Sequence, residues 1–398
     1  MVNSLCILGR QPALGLAELE SLYGADQVAA VGSQSAGLLL NAAEVDFSRL
    51  GGSTRLAEVL GEIESTDPRM IEKGLTGLVR SSAFAIPTSG KFHLGMSAID
   101  LEVTPAKLNA LGLTLKKIIR ARHDGAVRVV PNQTAELSSA QVYHNHLVGE
   151  HGAELLLIRH NKSVIVARTT AVQDIDSYTL RDRGRPKRDA RVGMLPPKLA
   201  QIIINLASGN VKAQESKRTL LDPFCGTGVV LQEALLMGYD VYGTDLEPRM
   251  ISYTKENLAW LSSTAHLSPH ASRLEVGDAT THQWDLPQKS VVACETYLGR
   301  PFTETPSPQL LGQTMSDVNL IIKKFLSNIN RQIAPGTRLC LAVPAWFTGR
   351  EVKHLPLLQN LSELGYKRVA FSHVLSDELI YHREGQIVGR ELVVLEKP

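Results

Sequence analysis

Four short stretches hold residue types that chemistry needs. The first, Leu221-Asp222-Pro223-Phe224-Cys225-Gly226-Thr227-Gly228, follows an apolar run and opens a helical pattern. Its glycines let the backbone turn tightly and approach a ligand at the C-terminal edge of a parallel sheet. It is not a dinucleotide fingerprint, because Leu231 stands where the third glycine of GxGxxG belongs. Asp222 ends one predicted strand, Asp245 in YGTDL the next, and Asp278 in VGDA the third. Carboxylates in that order suit a ligand carrying three donors: an ammonium, a ribose diol and an exocyclic adenine amine. S-adenosyl-L-methionine has all three. The plainer alternative is that each aspartate caps the helix that follows it.

The fourth predicted strand ends Ala293-Cys294-Glu295-Thr296-Tyr297-Leu298, beside the point where strand order reverses and ligands bind. The lone pair of an aryl amine is delocalised into its ring. Acceptors for the amine protons, here Glu295 and the backbone carbonyl of Thr296, favour a pyramidal, nucleophilic nitrogen, while Tyr297 stacks on a flipped base. The alternative makes Glu295 a surface ion-pair partner and Tyr297 a rim or core aromatic.

The elements around these residues read as an α/β chain of 398 residues, 43% hydrophobic and 21% charged. That length predicts about two to three domains at roughly 150 residues each. From Thr219 onward strands and helices alternate, so the C-terminal half is a mostly parallel sheet covered on both faces and closed by an antiparallel hairpin. A helix after Pro196-Pro197 leads in, with Leu199, Ile202, Ile203 and Leu206 on one face. Cys6 to about Leu60 reads as a small α+β unit whose last element, ending in LAEVLG, is helical. A second α/β region follows, with a hairpin across Asn161-Lys162. No run approaches the about 18 to 20 apolar residues of a membrane span, and the opening residues lack a leader pattern. Four scattered cysteines and no histidines at ligand spacing imply neither disulfide framework nor metal site, and a cytoplasmic location.

With a net charge of +2, affinity for nucleic acid has to come from local clusters. Arg181, Arg183, Arg185, Lys187, Arg188 and Arg191 crowd the segment before the C-terminal domain, and Lys116, Lys117, Arg120, Arg122 and Arg128 lie in and after a helix of the middle region. Neither group is interleaved with aromatics, so backbone and shape recognition of a folded RNA fits better than stacking on a single strand. Solvated faces or structural ion pairs are the alternative. Lys198 is either a ligand contact or a solvated helix-start lysine.

DPFCGTG, GTDL and VGD resemble the S-adenosylmethionine motifs of class I methyltransferases. SYTLRDRGRPKRDARVGMLPPKLAQIIINLA, CILGRQPALGLAELE and SSAQVYHNHL resemble the THUMP-containing tRNA guanine-N2 methyltransferases that modify guanosine at position ten. The resemblance implies a C-terminal class I (Rossmann-like) domain with a seven-stranded sheet, behind an N-terminal ferredoxin-like plus THUMP region. The implied divisions are 1–65, 66–172, a basic linker at 173–194, and 195–398. It implies a cofactor site of Asp222, Phe224, Cys225, Gly226, Thr227, Gly228, Asp245, Leu246, Asp278 and Ala279, with Glu295, Thr296 and Tyr297 catalytic. RNA contacts would be Lys116, Lys117, Arg120, Arg181, Arg185, Lys187 and Arg188. The implied partner is tRNA, with a small activating subunit left open and neither membrane nor metal. Where the family carries Asp-Pro-Pro-Tyr, this chain has Glu295-Thr296-Tyr297-Leu298. Adenine N6, ribosomal RNA and a non-catalytic RNA-binding role are the alternatives.

Overall fold

The computed structural model of the protein describes residues 2–81, 84–189, 194–210, 218–265, 271–302, 304–349 and 351–398. The chain divides into two units. One holds the residues up to Pro12, Ala25–Ser48 and Gly52–Ser177, and the other holds Ala13–Gly24, Arg49–Gly51 and Tyr178–Pro398.

The first unit is built on one eight-stranded sheet: β1 (Ser4–Leu8), β2 (Val28–Ala30), β3 (Ser35–Leu38), β4 (Ser53–Ile63), β5 (Phe92–Ile99), β6 (Val127–Val129), β7 (Gly152–His160) and β8 (Ser163–Val172), in the order β2-β3-β1-β4-β8-β7-β5-β6. β7 and β8 form the expected hairpin, with Asn161 at φ 56° in its turn. LAEVLG is not helical: it lies in β4, between β1 and β8. Pairing on both edges overrides a composition that favours helix. The first helix, α1 (Pro12–Tyr23), counts for nearly all its length with the second unit.

Two helices cover this sheet. α2 (Pro68–Arg80) starts at Asp67, whose carboxylate accepts from the backbone of Arg69 and Met70, and buries Ile71, Leu75 and Val79. α3 (Pro105–Arg120) is capped by Thr104 and buries Leu108, Leu115 and Ile119. That apolar stripe leaves Lys117 and Arg120 on the exposed side and Lys116 half-buried. α4 (Ser139–His144) and α5 (Ile175–Thr179) are short.

In the second unit, α6 (Pro197–Ser208) buries the predicted stripe Leu199, Ile202, Ile203 and Leu206. There follow β9 (Thr219–Asp222), α7 (Val229–Leu236), β10 (Asp240–Asp245), α8 (Pro248–Ala265), β11 (Ser272–Val276), β12 (Ser290–Glu295), α9 (Pro308–Asn330), β13 (Arg338–Thr348), β14 (Glu351–Lys353), β15 (Lys367–Arg368), β16 (Ile380–Tyr381) and β17 (Val388–Glu396). Seven strands run β11-β10-β9-β12-β13-β17-β15, and the short β14 and β16 bring the sheet to nine. β9 to β13 are parallel and β17 antiparallel to β13, as a Rossmann-like methyltransferase sheet requires. The chain starts at β9 and goes outward to β11 before returning to β12, so the crevice for a ligand opens at the tips of β9 and β12. Leu221, Val292, Cys294, Phe325 and Leu341 fill the core beneath these tips. α1 is held to this unit by buried carboxylates: Glu18 accepts from Gly51 N at 3.0 Å and Asn205 Nδ2 at 2.7 Å, and Glu20 from Ser372 N at 2.6 Å.

Candidate active site

β9 carries buried Leu220 and Leu221 ahead of its last residue, Asp222, and the loop after it is set by its own amides. Phe224 N donates to Asp222 Oδ1 at 3.1 Å, Cys225 N to the Thr244 carbonyl at 2.9 Å, and Gly226 N to Asp245 Oδ2 at 2.9 Å. Gly228 begins α7 at φ 83°, where a Cβ would sit 2.7 Å from Thr254 Cγ2. Both the left-handed backbone and the close approach exclude a side chain there. The Phe224 ring packs edge-on against Phe325 at 5.1 Å.

Asp245, Asp222 and Glu295 end three neighbouring strands, β10, β9 and β12. Asp222 is 2% exposed. Burial holds its carboxyl well above the ordinary value, the Phe224 amide opposes this, and the charges of Asp245 and Glu295 push it higher. Burial also raises Asp245, against hydrogen bonds from the amides of Glu247 and Gly226. Glu295 is raised by burial and restrained by Arg390. Burial opposes the ionisation of all three carboxyls, and Asp222 also feels the charges of the other two, an arrangement that donors and cations would stabilise.

Asp278, just past β11, is exposed and accepts from Thr280 N and Oγ1, each at 2.8 Å. Asp245 likewise holds Glu247 N at 2.9 Å, ahead of α8. Asp245 thus braces the start of α8, as the plainer alternative expects, whereas Asp278 braces a turn and the next element after it is β12, not a helix. Leu246 is 65% exposed beside Asp245, and Ala279 is buried, its carbonyl taking Asn328 Nδ2 at 3.1 Å.

At the tip of β12, Thr296 N and Oγ1 both donate to the Ala342 carbonyl, at 3.0 and 3.2 Å, pinning the strand end to β13. Arg390 Nε of β17 donates to Glu295 Oε1, so Glu295 is neither a surface group nor unpaired. Tyr297 is 45% exposed. Sequence reading missed Arg390, 95 residues downstream. The signal available was two adjacent charges, Arg390 and Glu391, directly before the apolar run 392–395, since buried charges need partners.

The basic segment divides in two. Arg181 Nε donates to buried Glu233 Oε1 at 2.8 Å and lies 4.5 Å over the Tyr178 ring. Arg185 is 3% exposed; burial lowers its pKa, and the charges of Asp182 and, less, Glu233 oppose this. Arg181 is thus engaged by an acid of the same unit, and Arg185 is enclosed rather than spread on the surface. The buried carboxylate of α7 holds Arg181, because a buried charge requires a cation. Lys187 is tied by its backbone to Asn257 and by Nζ to Glu256 at 3.3 Å, while Arg183 and Arg188 are exposed and Arg191 lies outside the described residues. Lys198 sits 4.9 Å over Tyr178 rather than in solvent. Among the described residues, no group of His, Cys, Asp and Glu is arranged to hold a metal, and no helix is long and apolar enough to cross a membrane.

Residues 185–268 match the family described as UPF0020, RMKL-like, methyltransferase domain. A tRNA (guanine(10)-N2)-dimethyltransferase of Methanothermobacter thermautotrophicus is 31% identical over 152 residues, 38% of this chain and 39% of the relative. One from Pyrococcus abyssi is 36% identical over 102 residues, 26% of this chain and 27% of the relative. The matched stretch thus spans well under half the length of these curated relatives. TrmN from Thermus thermophilus aligns over 100% of both chains with a TM-score of 0.51 and 16% identity, a likeness of fold. The second unit therefore has a Rossmann-like methyltransferase fold, its residues 185–268 match an RMKL-like methyltransferase domain, and part of the chain is similar in sequence to tRNA (guanine(10)-N2)-dimethyltransferases.

Proposed function

We propose that the protein transfers a methyl group from S-adenosyl-L-methionine to the exocyclic N2 amine of a guanosine in tRNA, at a site of the position-ten type. The observation that carries this reading is the row of carboxylates at the tips of β10, β9 and β12, beside a glycine loop with φ 52° at Gly226 and 83° at Gly228. The donor chemistry of the cofactor fits what the chain offers. Asp222 would hold the ammonium, Asp245 the ribose hydroxyls and Asp278 the adenine amine, with Phe224, Leu246 and Ala279 as apolar walls. When bound, the cofactor supplies a methyl on a sulfonium that is already a good leaving group. The chain's own work is to desolvate and orient. Glu295 Oε2 and the Thr296 carbonyl accept the amine protons, and the exposed Tyr297 ring offers a stacking face for the base. Lys117, Arg120, Lys187 and Arg188 contribute phosphate contacts. The reaction is cytoplasmic in this reading, in keeping with the buried free thiols of Cys6, Cys225, Cys294 and Cys340.

Incubation with methyl-labelled cofactor and unmodified tRNA, followed by mass analysis of the nucleosides, tests the proposal. It predicts N2-methylated guanosine, reduced about 10²- to 10⁴-fold by Glu295→Ala. Methylated adenosine would shift the target to N6, and label only in ribosomal RNA would change the substrate. A second reading, a non-catalytic RNA-binding protein, is favoured by one observation: Arg390 already occupies one oxygen of Glu295. It predicts bound tRNA and no turnover.

A further inference from the structure

The tip of β12 lacks the two prolines that would stiffen it, and two other devices stand in their place. Thr296 clamps the backbone through its paired bonds to the Ala342 carbonyl. Arg390 reaches Glu295 from β17, on the far side of β13, and is itself only 7% exposed. β13 contributes Ala342 opposite Glu295 and Pro344 opposite Arg390, so no charge of that strand separates the pair. We propose that Arg390 is the positioning residue of the site: by holding Glu295 Oε1 it fixes the carboxylate plane and leaves Oε2 to accept a proton of the substrate amine. This inference rests on the proposed methyl transfer and deepens it.

Geometry and charge lead to the same role. Among the described residues no donor other than Arg390 bonds Glu295, so without Arg390 the carboxylate has no anchor. The charged and titratable groups around it are Asp222 on β9, Cys294 on its own strand and Arg390 on β17. Burial disfavours the charge on Glu295 and Arg390, by charge and hydrogen bond, opposes this, while the charge of Glu295 in turn raises Asp222. A protonated Glu295 has lost an acceptor and gained a donor, and presents the wrong group to an amine. Arg390 thus does what proline rigidity and a shorter acid do elsewhere, and does it through charge, which makes the consequence measurable as a pH shift.

The test compares Arg390→Met, which keeps the stem, with Arg390→Lys, which keeps the charge. Glutamate labelled with 13C at the carboxyl carbon, with Glu295→Gln identifying the resonance, reads the titration of Glu295 directly. Arg390→Met is expected to move that titration upward by about one pH unit or more, and Arg390→Lys to move it less. In methyl transfer, Arg390→Met is expected to lower kcat about 10²-fold at pH 6.5 with little change in KM for tRNA. It should also shift the acid limb of kcat/KM upward by the same interval, and Arg390→Lys should recover most of the loss. Calorimetric titration of S-adenosylhomocysteine checks folding and is expected to give equal affinity in all three proteins. A Glu295 titration and a pH profile unchanged in Arg390→Met would overturn the inference. Absence of methyl transfer by the wild-type protein, with the resonance still shifted, would instead overturn the functional reading beneath it.

Discussion

Asn257 of α8 joins the cofactor loop to the basic segment that precedes the domain: its Nδ2 donates to the Thr227 carbonyl at 2.8 Å and to the Lys187 carbonyl at 2.9 Å. Its Oδ1 accepts from Lys187 N at 2.9 Å, so one buried amide satisfies three backbone groups. Asn257→Leu keeps the volume and leaves all three without their partner. We expect a loss of about 2–4 kcal/mol in urea unfolding, together with weaker binding of S-adenosylhomocysteine. Full stability in the variant would show that solvent replaces the link.

The raised carboxyl of Asp222 gives the ligand-free protein a pH dependence of definite sign. A group whose folded pKa exceeds its unfolded value binds more protons in the native state, so stability falls as pH rises from the ordinary carboxylate range through the folded value. Asp222→Asn removes the charge and keeps an oxygen for the Phe224 amide. It is expected to melt higher than wild type at pH 7.5, with the gain shrinking at pH 5, and to lose cofactor binding. A variant less stable than wild type at both pH values would contradict the sign.

Gly228→Ala meets two obstacles at once, a backbone at φ 83° and Thr254 Cγ2 2.7 Å from the new Cβ. Denaturant unfolding should show a loss of about 1–3 kcal/mol, and calorimetry a weakened cofactor site. An alanine variant as stable and as tight-binding as wild type would show that the loop has room to relax.

The two fates of the basic residues separate by experiment. Arg181→Met strips the partner from buried Glu233 and is expected to cost about 3–5 kcal/mol of stability. Lys117→Glu with Arg120→Glu, both exposed on α3, should leave the melting temperature within about 2 °C. The same pair should flatten the dependence of log affinity for tRNA on log salt by roughly 0.7–0.9 for each phosphate that is no longer neutralised. Unchanged RNA affinity in the double variant would remove α3 from the interface.

Strand-tip acids were legible because a parallel sheet puts the last residue of each strand at one edge: Asp222 and Asp245 do end β9 and β10, whereas β11 stops at Val276, two residues before Asp278. The stripe of α6 followed from helical spacing alone. The direction of Arg181 was not legible, since linear charge density does not distinguish a solvated cation from one that neutralises a buried acid 52 residues away. β4 read as helix because its pairing on both edges is non-local. Arg390 was missed for the same reason: it meets Glu295 only once β17 inserts antiparallel beside β13.

Isothermal titration of S-adenosylhomocysteine into the purified protein, beside Asp245→Ala, tests most directly whether the acidic strand tips form a cofactor site. The account predicts saturable one-to-one heat for the wild type and a loss of affinity of about 100-fold or more in the variant, as for buried hydrogen bonds to a charged acceptor. No heat from well-folded wild-type protein, or equal affinity in both, would contradict it.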